Sequence, residues 1–236
     1  MGRAFEYRKA TKMKRWASMA KAFTRVGKQI AIAVKESGPD PATNPKLRAA
    51  IQNAKAVNMP KDNVERAIKK ATSKDQEEYK ELVYEGYGPH GIAVLVECAT
   101  DNPTRTVANV RSYFNKYNGS LGTSGSVDYL FEHKCFFRFA RPENVDLDEL
   151  ELEMIDFGGE ELGEEEGNLA IYGEFGAFGT LQTFIEDKGL EVLSSGFVRI
   201  PTLTKELSPE QIADLEKLLD RLEEDEDVSE VFTTLA

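Results

Sequence analysis

At 236 residues with 41% hydrophobic side chains, the chain can fill two or three small cores, but no apolar run nears the ~20 residues that cross a bilayer. Two cysteines and two histidines argue against a disulfide framework and a zinc site. The net charge of −11 would argue against a polyanionic partner, but the charge is unevenly placed. Residues 1–80 hold 19 Lys and Arg against 8 Asp and Glu, a balance of +11; residues 81–236 hold 11 against 33, a balance of −22. One end attracts phosphate and the rest repels it.

The basic end begins with Arg3, Arg8, Lys9, Lys12, Lys14 and Arg15, interleaved with Phe5, Tyr7 and Trp16. From there Met19, Phe23, Val26, Ile30 and Val34 recur at spacings of three and four, which predicts an amphipathic helix. Lys21, Arg25, Lys28 and Lys35 repeat at the same spacing. At about 100° per residue they fall opposite the apolar stripe, as a row of outward cations. Gly38 and Pro39 end the helix. Asn44 and Pro45 open a second helix as N-cap and first position, with Leu47, Ile51 and Ala54 inward. Pro60 opens a third, with Val64, Ala67, Ile68 and Ala71 inward. Residues 1–79 are thus expected to form a basic helical nucleic-acid-binding domain, with 72–80 as its hinge.

Beyond residue 80 short apolar runs alternate with helical patterns. Strands are expected at 92–98 and 127–131, and a helix capped by Asn102-Pro103 turns Val107, Val110, Phe114 and Tyr117 inward. A strand at 135–139, a helix at 147–156, strands near 160–165 and 169–172, a helix at 181–188 and a strand at 190–193 follow. That order, β-α-β-β-α-β, is the ferredoxin-like plait. A strand at 197–200, a helix opened by the Ser208-Pro209-Glu210-Gln211 capping box and a strand at 228–232 close the chain. The expected fold class is α+β: an N-terminal helical bundle followed by two ferredoxin-like α/β domains. Residues 133–195 would form an acidic plait inserted into a discontinuous one built from 80–132 and 196–236.

Lysine and arginine bind phosphates by displacing counterions, and aromatics among them stack on unpaired bases, so the basic end is the main lead. Two glycine-bearing stretches, 84–91 and 119–126, are secondary: the second offers amides that could cradle a phosphate, but neither continues as a P-loop. Glycines in such places more often serve tight turns. Cys98 and Cys135 sit in apolar runs and read as core residues, and the acidic stretch 160–166 lacks EF-hand spacing. No catalytic constellation is evident. The chain reads as a protein that is not an enzyme, with no cofactor, no metal, no small-molecule substrate and no membrane partner. Its start has no signal-peptide pattern, which points to the cytoplasm.

Several runs carry a resemblance: Gly38-Pro39-Asp40-Pro41 through Asn44-Pro45-Lys46-Leu47-Arg48, and Asn58-Met59-Pro60-Lys61-Asp62-Asn63-Val64-Glu65-Arg66-Ala67-Ile68. Tyr84-Glu85-Gly86-Tyr87-Gly88-Pro89, Asp101-Asn102 with Arg105-Thr106, and Gly119-Ser120-Leu121-Gly122 leading to Gly125-Ser126-Val127 continue it. In order and spacing the chain resembles the YebC family, which includes DNA-binding transcriptional regulators and the mitochondrial translational activator of cytochrome c oxidase. The resemblance implies a helical domain followed by two α/β domains, with no cofactor and no catalytic residue. It also makes Arg105, matched to the family's Asp-Asn-x-x-Arg-Thr motif, a contact candidate. The family's usual Ser-Lys-Trp-Ala-type start is replaced by Gly2-Arg3-Ala4-Phe5, so contacts in that segment are not carried over singly.

The expected function is a nucleic-acid-binding regulator of gene expression, with DNA as target by resemblance. A ribosome-associated translation factor would use the same cations on ribosomal RNA. A protein–protein adaptor is the reading of another class.

Overall fold

The computed structural model describes residues 19–73, 78–142 and 145–236, with side chains from residue 21 onward. Contacts divide the chain into two units, Met1–Ser73 with His133–Val198, and Lys74–Glu132 with Arg199–Ala236.

In the first unit three helices precede a sheet. Helix α1 (Met19–Ser37) packs against α2 (Pro45–Ala56) and α3 (Lys61–Ala71). Its buried residues Val26, Ile30 and Val34 are the expected stripe, widened by Ala31 and Ala33, whose small side chains let two neighbours approach. The corner between α1 and α2 is fixed by Asn44, which is fully buried. Its Oδ1 accepts from the Leu47 amide at 3.0 Å as N-cap, and its Nδ2 donates to the carbonyls of Ala33 (2.7 Å) and Gly38 (2.8 Å).

The sheet of this unit has the strand order β5-β6-β4-β7, from β4 (Phe131–Phe139), β5 (Gly159–Glu165), β6 (Asn168–Glu174) and β7 (Val192–Pro201). Helix α5 (Leu147–Ile155) joins β4 to β5 and α6 (Phe178–Asp187) joins β6 to β7, so the element order is β-α-β-β-α-β. Alternate residues Cys135, Phe137 and Phe139 of β4 enter one core with Leu150 and Met154 of α5 and Leu181 and Ile185 of α6. The β5–β6 hairpin turns through Glu166 (φ 51°) and Gly167 (φ 78°), the paired positive φ values of a tight two-residue turn.

Helix α2 belongs to the same core through Ala49. Asn53 and Ser195 exchange hydrogen bonds: the Asn53 side chain donates to the Ser195 carbonyl at 2.8 Å and accepts its amide at 3.1 Å. Gln52 donates to the Val192 carbonyl, and Arg48 bonds Glu186 at 3.0 Å. The helical segment is therefore fastened side chain to backbone onto β7, within one compact unit.

The second unit holds a sheet of order β3-β1-β2-β8, all antiparallel: β1 (Lys80–Tyr87), β2 (Ala93–Thr100), β3 (Ser120–Leu121) and β8 (Val228–Thr233). Helices α4 (Pro103–Lys116) and α7 (Pro209–Glu223) cover one face, burying Val94, Val96, Phe114, Leu215, Leu218 and Leu222. The capping box at Ser208 and Gln211 is formed.

Three expectations are corrected. The strand at 127–131 is instead a 3-10 turn at Asp128–Leu130, because Val127 and Asp128 turn their amides onto an internal carboxylate. The runs at 190–193 and 197–200 are one strand, β7, and β4 is likewise continuous from Phe131. The sheet of the second unit draws instead on β1, which lies in the stretches read as a hinge and a glycine loop. Its connectivity is β-β-α-β followed by α-β, which differs from the second plait expected.

Candidate nucleic-acid interface

Of the cations singled out in the sequence, Arg3, Arg8, Lys9, Lys12, Lys14 and Arg15 lie outside the described residues. The four on α1 do not form an even outward row. Lys35 is exposed, Lys21 and Arg25 are half-buried, and Lys28 is buried at 8% exposure. The physical reason lies in the packing: α1 is flanked by two helices, and its buried arc reaches Ala31, next to Lys28 on the helix surface. A lysine stem can lie along apolar surface. Lys21, Arg25 and Lys28 are all engaged in interactions.

The structure adds cations that the sequence pattern passed over. Lys55 on α2 and Arg66, Lys69 and Lys70 on α3 are exposed. Lys46 is paired with Glu36 and Lys61 with Glu65. The sign that could have found them is the count itself, since nine of the 19 cations of residues 1–80 follow residue 35.

Arg105 lies in the first turn of α4 in the second unit. Its guanidinium donates to Asp227 at 2.8 Å and to Asp101 at 2.9 Å, while its backbone amide is capped by Asn102 Oδ1 at 3.1 Å. The Thr106 hydroxyl lies 2.9 Å from Asp227 Oδ2 and 2.8 Å from Thr100 Oγ1. Asp227 is 5% exposed, so this network supplies the counter-charge and donors that a buried carboxylate requires. The bond to Asp227, with that to Asp101, pushes the Arg105 pKa up. Half of the side chain stays open to solvent, at 48% exposure. The Asp-Asn-x-x-Arg-Thr run thus fastens the start of α4 to the residue preceding β8.

The two glycine-bearing stretches meet each other. Glu85 of β1 is 5% exposed, and its carboxylate accepts the amides of Gly125 (2.7 Å), Val127 (2.8 Å) and Asp128 (2.8 Å). Burial alone raises its pKa, but the three amides and nearby Arg199 outweigh it, and the carboxyl is held below its ordinary range. The Gly125 amide of the second stretch, with those of Val127 and Asp128 just beyond it, is thus taken by the chain's own carboxylate and not left for a phosphate. Gly86 has a packing reason: a Cβ there would stand 2.6 Å from the Ser120 carbonyl oxygen and 2.8 Å from the Phe114 ring.

Arg199 ties this region together, donating to Glu97 at 3.0 Å and to Asp128 at 3.0 Å. Burial raises the Glu97 pKa, Arg199 opposes that, and the charges of Glu230 and Glu81 add to it. Cys98 and Cys135 are buried thiols outside any disulfide, and burial pushes the Cys135 thiol up to about 11. No helix of the described residues is long and apolar enough to cross a membrane.

A helical segment fastened to one antiparallel sheet, with a second sheet unit, a basic start and an acidic remainder, defines an α+β protein of several domains. The description "TACO1/YebC protein N-terminal domain" matches residues 3–74, and "TACO1/YebC second and third domain" matches residues 79–235. The chain belongs to the TACO1/YebC family. It is 62% identical to a protein of Flavobacterium johnsoniae called "Probable transcriptional regulatory protein", over 100% of this chain and 99% of that one. A similarly named protein of Flavobacterium psychrophilum is 63% identical, again covering 100% and 99%. Among solved structures, a conserved hypothetical protein of Aquifex aeolicus matches with a TM-score of 0.80 at 36% identity, covering 95% of this chain and 93% of that one.

Proposed function

We propose that this protein is a cytoplasmic nucleic-acid-binding regulator of gene expression whose grip lies in residues 3–35. Arg3, Arg8, Lys9, Lys12, Lys14 and Arg15 carry it, Lys21, Arg25 and Lys35 extend it, and Lys28 contributes mainly to packing. Arg105, held by Asp101 and Asp227, adds at most the open edge of its guanidinium. The observation that carries this reading is the opposed charge balance, +11 over residues 1–80 and −22 over the remainder. In this reading residues 133–195 are a ferredoxin-like plait, supported by their element order and by the strand order β5-β6-β4-β7.

The names borne by the Flavobacterium relatives favour duplex DNA as the target. A second reading, a translation factor bound to ribosomal RNA, is favoured by α1: with Lys28 buried, its outer face is a poor groove-reading surface. Phe5, Tyr7 and Trp16 among the early cations also suit stacking on unpaired bases. Sedimentation of the full chain with ribosomes, beside a mobility-shift titration on duplex DNA at physiological salt, separates the two. Selective DNA binding without ribosome association removes the translation reading, and the converse removes the transcription reading. Failure of both leaves the protein–protein adaptor.

A further inference from the structure

Helix α5 is built with two unlike faces. Leu150 and Met154 point into the core at 2% and 1% exposure, whereas Leu152 and Ile155, three residues apart, are 70% and 57% exposed. Large aliphatic side chains left open on a short surface helix increase the apolar area in water, and clustered exposure of this kind marks contact surfaces. Around them stand Asp148, Glu149, Glu151 and Asp156, all exposed.

Those four carboxylates are uncompensated. Residues 133–198 hold 16 Asp and Glu but only 4 Lys and Arg. Each of the four cations forms an ion pair elsewhere: Lys134 with Glu160, Arg138 with Glu166, Arg141 with Glu164 and Lys188 with Glu153. Among the described residues no ion pair reaches Asp148, Glu149, Glu151 or Asp156.

We propose that the outer face of α5 is a docking surface for a lysine- and arginine-rich amphipathic segment of a partner protein, with Leu152 and Ile155 as the apolar anchor. Charge complementarity selects this occupant. The carboxylates repel the phosphates of nucleic acid and the headgroups of an anionic membrane. A second copy presenting the same face would set like charge on like charge. A cationic segment with apolar residues on one side neutralises the carboxylates and covers both aliphatics. This partner is distinct from the nucleic acid assigned to residues 3–35, and the inference stands without that assignment.

The test uses the full chain and a synthetic 14-residue helical peptide with leucine at i, i+3, i+4 and i+7 and lysine elsewhere. Isothermal titration should show binding that weakens with salt, falls at least tenfold in a Leu152→Ser/Ile155→Ser variant, and falls several-fold in Asp148→Asn/Glu151→Gln. Because all four positions are exposed, the thermal midpoints should stay at the parent value. In parallel, a photo-crosslinking amino acid at position 152 should, in cells, join basic amphipathic segments of other proteins. The proposal is overturned if the double serine variant binds like the parent, or if a leucine-free lysine–serine peptide of equal charge binds as well. Cross-links from position 152 that fall on residues 1–35 of this chain, or on nucleic acid, overturn it too.

Discussion

Two glutamates in the second unit, Glu85 buried and Glu97 half-buried, have environments of opposite sign, and the difference is measurable. Glu85 accepts three backbone amides and its pKa is held down; Glu97 is half-buried beside Arg199, and desolvation, with Glu230 and Glu81 adding negative potential, raises its pKa. A depressed folded pKa contributes stability that is present above the unfolded value and lost as pH falls through the folded one. A raised one contributes stability that is present below the unfolded value and lost as pH rises through the folded one. Glu85→Gln should therefore cost about 1–3 kcal/mol near neutrality, with the loss shrinking in acid. Glu97→Gln should compare better with the parent at pH 7 than at pH 4. Thermal melts of both variants across that range check the pair, and parallel pH profiles would contradict the assignment. Arg105 gives a third outcome at this scale. Arg105→Ala takes the guanidinium from buried Asp227 while the Thr106 hydroxyl remains, and should lower stability by about 1–3 kcal/mol, the open side of the guanidinium having been discounted. A residue serving only as a phosphate contact would leave the melt unchanged. None of these roles was legible in the sequence. The motif runs were visible, but the partner of Glu85 lies some forty residues away and that of Arg105 more than a hundred, and spacing within a motif carries no trace of either.

Elements were legible where their reasons are local. The helix beginning after Asn44-Pro45 and the one beginning after Ser208-Pro209 follow from caps and apolar spacing, and both caps are formed. Strand β1 was not legible, because a buried glutamate and a glycine break the alternation of Leu82 and Tyr84 that would otherwise announce it. Gly86 is required there by close approach: Gly86→Ala drives a methyl onto the Ser120 carbonyl and the Phe114 ring. It should cost about 1–3 kcal/mol or loosen β3 from β1, and amide exchange at Ser120 and Leu121 would report the second outcome. The corner between α1 and α2 is the other point of leverage. Asn44→Ala removes an N-cap and takes the Nδ2 donor from the buried Ala33 carbonyl and the half-buried Gly38 carbonyl, so the loss should reach about 2–4 kcal/mol. A loss near that of an exposed cap would mean that the two carbonyls recruit water.

The molecule as a whole is acidic, yet its proposed ligand is a polyanion, and charge placement must overcome net charge for this to work. Coulomb interactions between exposed groups fade over about 8–10 Å at ordinary salt. A phosphate backbone bound at residues 3–35 would therefore sense the cations it touches more than any carboxylate beyond that range. Two variants with the same net charge separate placement from total. Arg8→Gln with Lys9→Gln, and Arg111→Gln with Lys116→Gln on exposed positions of α4, each remove two positive charges. Binding to a duplex or ribosomal RNA fragment, followed over a salt series, should lose about two counterions in its slope for the first pair and keep the parent slope for the second. Lys28→Gln belongs with neither, since a buried lysine on α1 should show its loss in the melt and not in the salt slope. If both charge pairs lowered the slope alike, binding would follow net charge, and the basic end would hold no privileged contact with the polyanion.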